Sequence, residues 1–184
     1  MKMNLIILPR RGFDEDDLFN FLDILDGRNY IAIKDREIGI GKYKSKVLPD
    51  FDIHEIFLMK ENHFDRLIFI ADKGYKDFMD VETQAIFTRF INSYRTVILS
   101  SLSQIAFLRT GLLVGKTIVY NYDEYPEYLK YFQNSGVKLI TNYDYYVDKN
   151  LITVKGRDSI YNLGENLRKI EEDIEKLFNA AGGI

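Results

Sequence analysis

The stretch VILSSLSQIAFLRTGLLVGK, residues 97–116, carries the strongest structural signal in the chain. Its first three residues are apolar, as in a buried strand, and Ser100 and Ser101 follow them directly. A short amphipathic segment then runs from Leu102 to Thr110, and Gly111 stands where a left-handed residue often ends a helix. The pattern predicts a strand that turns abruptly into a short helix, with two serines at the turn. We call this turn, residues 100–103, the elbow.

Strand-length apolar runs alternate with helix-period segments along the rest of the chain. Further strand candidates cover residues 5–8, 30–33, 67–71, 117–120, 137–140 and 145–154. Helix candidates begin at Asp14 and Asp80, and the last one covers residues 159–178. Residues 38–47, with two loosening glycines, are typical of a small antiparallel excursion. The alternation predicts one α/β domain over residues 1–184 around a mainly parallel sheet.

Composition limits the chemistry that the chain can perform. Its 184 residues are 46% hydrophobic and 29% charged, which is ordinary for one globular domain. A net charge of −3 gives no basic excess, so we expect no binding to nucleic acid. The absence of cysteine excludes disulfides, cysteine-ligated zinc, iron–sulfur clusters and a cysteine nucleophile. No apolar run approaches the ~20 residues of a membrane span. We expect a soluble cytoplasmic protein that uses no membrane, metal or other cofactor.

Cationic residues follow several of the predicted strands. Ligands of open parallel sheets bind outside the carboxyl ends of the strands, so residues at that edge are the candidates for binding. The cations there are Arg10, Arg11, Lys73 and Arg157. They predict a site for a small anionic ligand, such as a carboxylate or a phosphate. The alternative is a set of solvated loop charges, partly neutralised by Asp72 and by the acids at 14–17.

Four blocks of the sequence resemble the DJ-1/PfpI superfamily. Residues 97–116 look like its A-I-C-H-G-P…L-L-A-x-A-G-L-L-x-G-K block, and residues 144–156 like the V-V-D-G-N-L-I-T-S-R-G strand pair. Residues 12–18 match its G-F-E-D-x-E-L opening, and residues 49–53 its P-D-x-x-L segment. The resemblance implies a flavodoxin-like three-layer α/β/α sandwich, related to the class I glutamine amidotransferase fold and commonly oligomeric. Active members of the superfamily are glyoxalases, deglycases, intracellular peptidases or redox-sensing chaperones.

The departures from that family concern its catalytic residues. Ser101 stands at the cysteine of the family, and Leu102 at the histidine of its peptidase branch. Asp17 stands at the glutamate that tunes the thiolate, although an acid near a helix start also favours the helix dipole. A serine hydroxyl needs a positioned base, and an ordinary carboxylate is a poor one. The resemblance thus implies a divergent, non-catalytic protein with a vestigial elbow, structural or oligomeric or binding a small anion. The alternative is a hydrolase, glyoxalase or deglycase that uses Ser101 with Asp17.

Tyrosine is concentrated in one part of the chain. Eight of the 13 tyrosines lie between Tyr120 and Tyr146. Tyrosine is enriched at protein–protein interfaces because it combines a large rigid body with a polar tip. The cluster predicts a contact in a homo-oligomer, a dimer or larger. Half-buried edges of the fold are the alternative explanation, whereas the acids in the same stretch disfavour nucleic acid.

Overall fold

A seven-stranded sheet forms the centre of the computed structural model, which describes residues 1–182 apart from the side chain of Glu61. The strands are β1 (Met3–Leu8), β2 (Arg28–Ile33), β3 (Gly39–Ile40), β4 (Lys46–Val47), β5 (Phe51–Asp52), β6 (Arg66–Ala71), β7 (Thr96–Ser101), β8 (Thr117–Ile118), β9 (Lys138–Leu139), β10 (Tyr145–Asp148) and β11 (Leu151–Val154). The main sheet has the order β10-β11-β7-β6-β1-β2-β5. All neighbours in it are parallel except β10 and β11. The predicted excursion is the antiparallel pair β3–β4.

Helices cover both faces of this sheet. They are α1 (Glu15–Ile24), α2 (Ile53–Leu58), α3 (Val81–Asn92) and α4 (Asp158–Ala180), and 3-10 segments lie at Lys34–Arg36, Glu61–His63, Lys73–Phe78, Ser103–Thr110 and Pro126–Tyr131. On one face α1 packs against α4, and on the other α2 packs against α3. The predicted flavodoxin-like three-layer sandwich is therefore confirmed. None of the helices in the described part of the chain is long and apolar enough to cross a membrane.

Alternation along the central strands divides the core into two layers. The side chains that face α2 and α3 are Leu5, Ile7, Leu67, Phe69, Val97 and Leu99. Those that face α1 and α4 are Ile6, Leu8, Ile68, Ile70 and Ile98. Because both faces of these strands are covered, their sequences are continuous apolar runs rather than alternating ones. Burial of each such side chain stabilises the fold by ~1.5–3 kcal/mol.

Side chains replace part of the expected regular structure around the elbow. The segment after it is a 3-10 helix, in which the Ser103 hydroxyl donates to Ser100 O at 2.7 Å. The strand predicted at 117–120 ends at Ile118. Beyond that point the Val119 N–H donates to Thr153 Oγ1 at 2.9 Å, and Val119 O accepts from Gln104 Nε2 at 2.7 Å. These contacts shorten β8, because side chains take the place of its next strand partner.

The loops after β1 and β6 are pressed together at the carboxyl edge of the sheet. Gly12 O accepts the N–H groups of Asp72 at 2.9 Å and Gly74 at 3.0 Å. A Cβ atom on Gly74 would lie 1.9 Å from Arg11 O, so this approach requires glycine. The strand order reverses between β1 and β6, and the space outside their carboxyl ends is thus filled by backbone. The elbow lies next to it, at the carboxyl end of β7.

Candidate functional site

The elbow holds Ser101 in a strained conformation. Ser101 is the last residue of β7, has φ +58° and is 3% exposed. A left-handed conformation costs a residue with a Cβ roughly 1–2 kcal/mol, so the surrounding contacts must maintain it. One of those contacts is the Leu102 N–H, which donates to Ala71 O at 3.1 Å. The turn therefore has the backbone geometry that presents a nucleophile in other α/β folds.

The N–H groups that would bind an oxyanion at the elbow are engaged elsewhere. In a nucleophile elbow, the N–H of the following residue binds the oxyanion, but here the Leu102 N–H is bonded to Ala71 O. The Lys73 N–H, on the neighbouring loop, is bonded to the carboxylate of Asp72. The Ser101 hydroxyl makes no hydrogen bond within residues 1–182 as described. The elbow thus has the shape of a catalytic turn without its hydrogen-bonding partners.

Asp17 lies beside the elbow but contacts the wrong serine for catalysis. Its Oδ2 accepts the Ser100 hydroxyl at 3.4 Å, and its Oδ1 accepts the Arg157 N–H at 2.6 Å. The side chain lies beneath Gly156, where a Cβ atom would come within 2.8 Å of Asp17 Oδ1. Burial raises the pKa of Asp17 to about 7, opposed by the Arg157 N–H and reinforced by the charge of Asp14. Asp17 therefore joins the elbow to the start of α4.

The four predicted cations are placed differently from one another. The guanidinium group of Arg10 pairs with Asp77 at 3.0 Å and Asp35 at 3.5 Å. Arg11 and Lys73 are exposed, and neither forms an ion pair within the described residues. Arg157 does reach the acids beside the elbow. Its NH2 group lies 3.3 Å from Asp14 Oδ2 and 3.0 Å from Glu124 Oε1.

Two further charged residues of this site, Lys42 and Glu124, were not predicted from the sequence. Lys42 Nζ lies 3.0 Å from Glu124 Oε1 and 3.8 Å from Asp14 Oδ2. Hydrogen bonding to Glu124 raises the pKa of Lys42 against the effect of its burial. Burial opposes ionisation of Glu124 as well, but Lys42 and Arg157 lower its pKa. Both residues lie in loops, where hydrophobic periodicity carries no signal, so sequence pattern alone could not place them.

A buried carboxylate brings Lys42 to the site. Glu15, the first residue of α1, accepts the N–H groups of Tyr43 and Ser45 at 2.9 and 3.0 Å. Burial works against ionisation of Glu15, but these hydrogen bonds lower its pKa overall. The Lys42 N–H is held in the same way by Phe13 O at 2.8 Å. The tip of the β3–β4 excursion is thereby fixed to the start of α1, with Lys42 Nζ directed at Asp14 and Glu124.

Acids outnumber bases around the elbow. The carboxyl groups are those of Asp14, Asp17, Asp72 and Glu124, and the cations are Lys42 and Arg157. Burial raises the pKa of Asp72, which also receives the Tyr125 hydroxyl at 3.5 Å. The described residues include no group of three acids or histidines arranged to hold a metal ion.

The fold of this chain is shared with many proteins of known structure. Among solved structures, 134 chains match it. A ThiJ/PfpI domain protein from Brachyspira murdochii has a TM-score of 0.78 and 13% identity over 92% of this chain and 96% of its own. DJ-1beta of Drosophila melanogaster has a TM-score of 0.77 and 17% identity over 98% and 97%. This chain has the DJ-1/PfpI fold.

The likeness to DJ-1/PfpI structures lies in the backbone rather than in the sequence. Oxidized DJ-1 from Toxoplasma gondii has a TM-score of 0.73 and 18% identity over 98% of both chains. No protein-family model matches the chain, and no curated protein sequence matches it either. The structural matches thus confirm, at the level of the DJ-1/PfpI fold, the family resemblance of the four sequence blocks.

Within this DJ-1/PfpI fold the tyrosine-rich stretch packs largely against itself. Tyr120 and Tyr125 are buried, and the ring of Tyr128 packs edge-on against Tyr125 at 5.9 Å between centroids. Of the eight tyrosines, Tyr131 and Tyr143 are largely exposed, at 43% and 53%. Internal packing thus accounts for part of the cluster, and these two exposed rings remain for an external contact.

Proposed function

We propose that this protein performs no chemistry at Ser101 and acts as a non-catalytic protein of the DJ-1/PfpI fold. The observation that carries the proposal is the bonding of Asp17 to Ser100 and to the Arg157 N–H, which leaves Ser101 without a base. The occupied N–H groups of Leu102 and Lys73 support it, since they remove the donors for an oxyanion. The vestigial elbow then serves to hold the surrounding loops together.

The second candidate is a hydrolase, glyoxalase or deglycase that uses Ser101 with Asp17. The positive φ of Ser101 favours it, because strained residues cluster at active sites. Catalysis would require the carboxyl group of Asp17 to leave Ser100 for Ser101. It would also require a free N–H donor at the elbow.

Turnover assays distinguish the two candidates. Wild type, Ser101→Ala and Ser103→Ala are assayed with methylglyoxal and with ester and peptide substrates. Ser103→Ala is the matched control, because its hydroxyl lies in the same turn but is bonded to Ser100 O. We expect all three proteins to show the same rate as buffer. A wild-type rate that falls at least about 100-fold in Ser101→Ala, but survives in Ser103→Ala, would establish the enzyme instead.

A small anion is the ligand class that we propose for the non-catalytic protein. Its support is the convergence of Lys42 Nζ and Arg157 NH2 on one carboxylate oxygen, each at 3.0 Å. These two cations take the place of the four-residue set expected from the sequence, of which Arg157 alone is shared. We further propose a homo-oligomer, a dimer or larger, whose contact includes the exposed rings of Tyr131 and Tyr143.

A further inference from the structure

We propose that Lys42 and Arg157 form a binding site for a small monocarboxylate, and that Glu124 of the same chain occupies that site as a tethered competitor. The inference rests on the anion-binding part of the proposed function and specifies its ligand and its regulation. An external carboxylate then binds only when the side chain of Glu124 swings out.

The position of Glu124 is that of a bound ligand. Its Oε1 accepts from both Lys42 and Arg157, and its Oε2 accepts from Asn121 Nδ2 at 3.1 Å. Each oxygen of one carboxylate is thereby hydrogen-bonded, and two of the three donors are charged. Charge-assisted bonds of this kind are about twice as strong as neutral ones. A free carboxylate of the same shape would find the same donors.

The two cations are anchored by backbone contacts that do not involve Glu124. Lys42 is held through its N–H to Phe13 O, and Arg157 through its N–H to Asp17. The backbone of both residues is therefore held independently of Glu124.

Glu124 itself belongs to the loop between β8 and the 3-10 segment at Pro126–Tyr131, and its side chain is 27% exposed. Its N–H is held by the side chain of Asn121 at 3.3 Å. The neighbouring Asp123 is exposed and forms an ion pair with Lys155 at 3.1 Å. A rotation of the Glu124 side chain toward solvent thus breaks no backbone hydrogen bond of the site.

The local charge selects a singly charged ligand. With Glu124 in place, Lys42 and Arg157 face two carboxylates, because Asp14 Oδ2 also lies 3.3 Å from Arg157 and 3.8 Å from Lys42. Removal of Glu124 leaves Asp14 as the one carboxylate within 4 Å of both Lys42 and Arg157 among the described residues. Asp72 and Asp17 lie near enough for the charge of Asp14 to raise the pKa of each, and they disfavour a second negative charge on the ligand. A monocarboxylate restores the balance that Glu124 provides.

The tether explains why the native chain would hold such a ligand weakly. A group attached by a short flexible linker has an effective concentration in the millimolar range or above. Glu124 therefore outcompetes a free carboxylate at lower concentrations. The variant Glu124→Ala is expected to bind the same ligand at least about tenfold more tightly than wild type.

Acetate rescue of Glu124→Ala tests the proposal. The midpoint of thermal unfolding is measured against acetate at constant ionic strength, with chloride as the balancing salt. We expect a saturable rise of about 3 °C or more at acetate concentrations about tenfold above Kd, and a much smaller rise in wild type. Glu55→Ala is the matched control, because it removes the carboxylate from the 3.0 Å pair with Arg36 on the surface. That control should respond equally to acetate and chloride.

The double variant Glu124→Ala with Arg157→Ala should lose the acetate response. Equal shifts in acetate and chloride for Glu124→Ala, or an acetate response that persists in the double variant, would overturn the proposal. If Glu124→Ala does not fold, Glu124→Gln is examined by ligand-observed NMR of the acetate methyl group, where an absence of saturable binding has the same meaning. Either failure leaves the non-catalytic role of Ser101 standing, since turnover assays alone decide that.

Discussion

At the scale of single residues, the buried carboxyl group of Asp17 makes stability depend on pH. Its pKa of about 7 in the fold lies above the ordinary value of 3.8. Between these values the unfolded chain releases the proton and the folded chain keeps it. The free energy of unfolding therefore falls as the pH rises from about 4 to 7, and the full cost is present above pH 7.

The variant Asp17→Asn should remove this cost. An amide can still accept the Arg157 N–H, and it can donate to the Ser100 hydroxyl. We expect Asp17→Asn to be on the order of 2–4 kcal/mol more stable than wild type at pH 8, with the difference shrinking toward pH 4. Urea unfolding at several pH values measures it, and Asp16→Asn, on the exposed side of the same turn, is the control. A difference that is independent of pH would contradict the buried-carboxyl explanation.

At the scale of elements, the loops after β1 and β6 depend on a glycine contact. Gly74 leaves no room for a Cβ atom, whereas Gly111, at the end of the 3-10 segment after the elbow, has φ +75° and open space around it. We expect Gly74→Ala to destabilise the fold by about 3 kcal/mol or more, because backbone would have to move. Gly111→Ala should cost only roughly 1–2 kcal/mol, from its left-handed conformation. Equal losses in chemical denaturation would show that the two loops do not need their close approach.

At the scale of the whole molecule, the proposed oligomer can be tested through its two exposed tyrosines. Sedimentation velocity at micromolar concentration should show a dimer or larger species for the wild type. Tyr131→Glu with Tyr143→Glu should shift it toward the monomer, because the charges would be buried without partners. Tyr161→Glu is the control, since that ring is similarly exposed but lies on α4. A monomeric wild type, or an unaltered oligomer in the double variant, would contradict the proposal.

The whole molecule also shows where sequence reasoning succeeded. Buried strands such as β6 and β7 were predictable, because a strand covered on both faces must be apolar throughout. The abrupt turn at Ser101 was predictable too, because the apolar run ends at Leu99 and two serines follow it. The site formed by Lys42 and Glu124 was not, because its members lie in loops about 80 residues apart. The loop of Lys42 reaches the site through bonds to Glu15 and Phe13 that no local sequence pattern indicates.

The strained turn at Ser101 also provides a reporter. The chain contains no cysteine, so Ser101→Cys would introduce a single thiol with no background from other positions. The N–H donors of Leu102 and Lys73 are already occupied, so little at the elbow would stabilise a thiolate, and labelling by an alkylating reagent would depend chiefly on access. Ser101 is 3% exposed, so the labelling rate would then measure how often this buried turn opens to solvent.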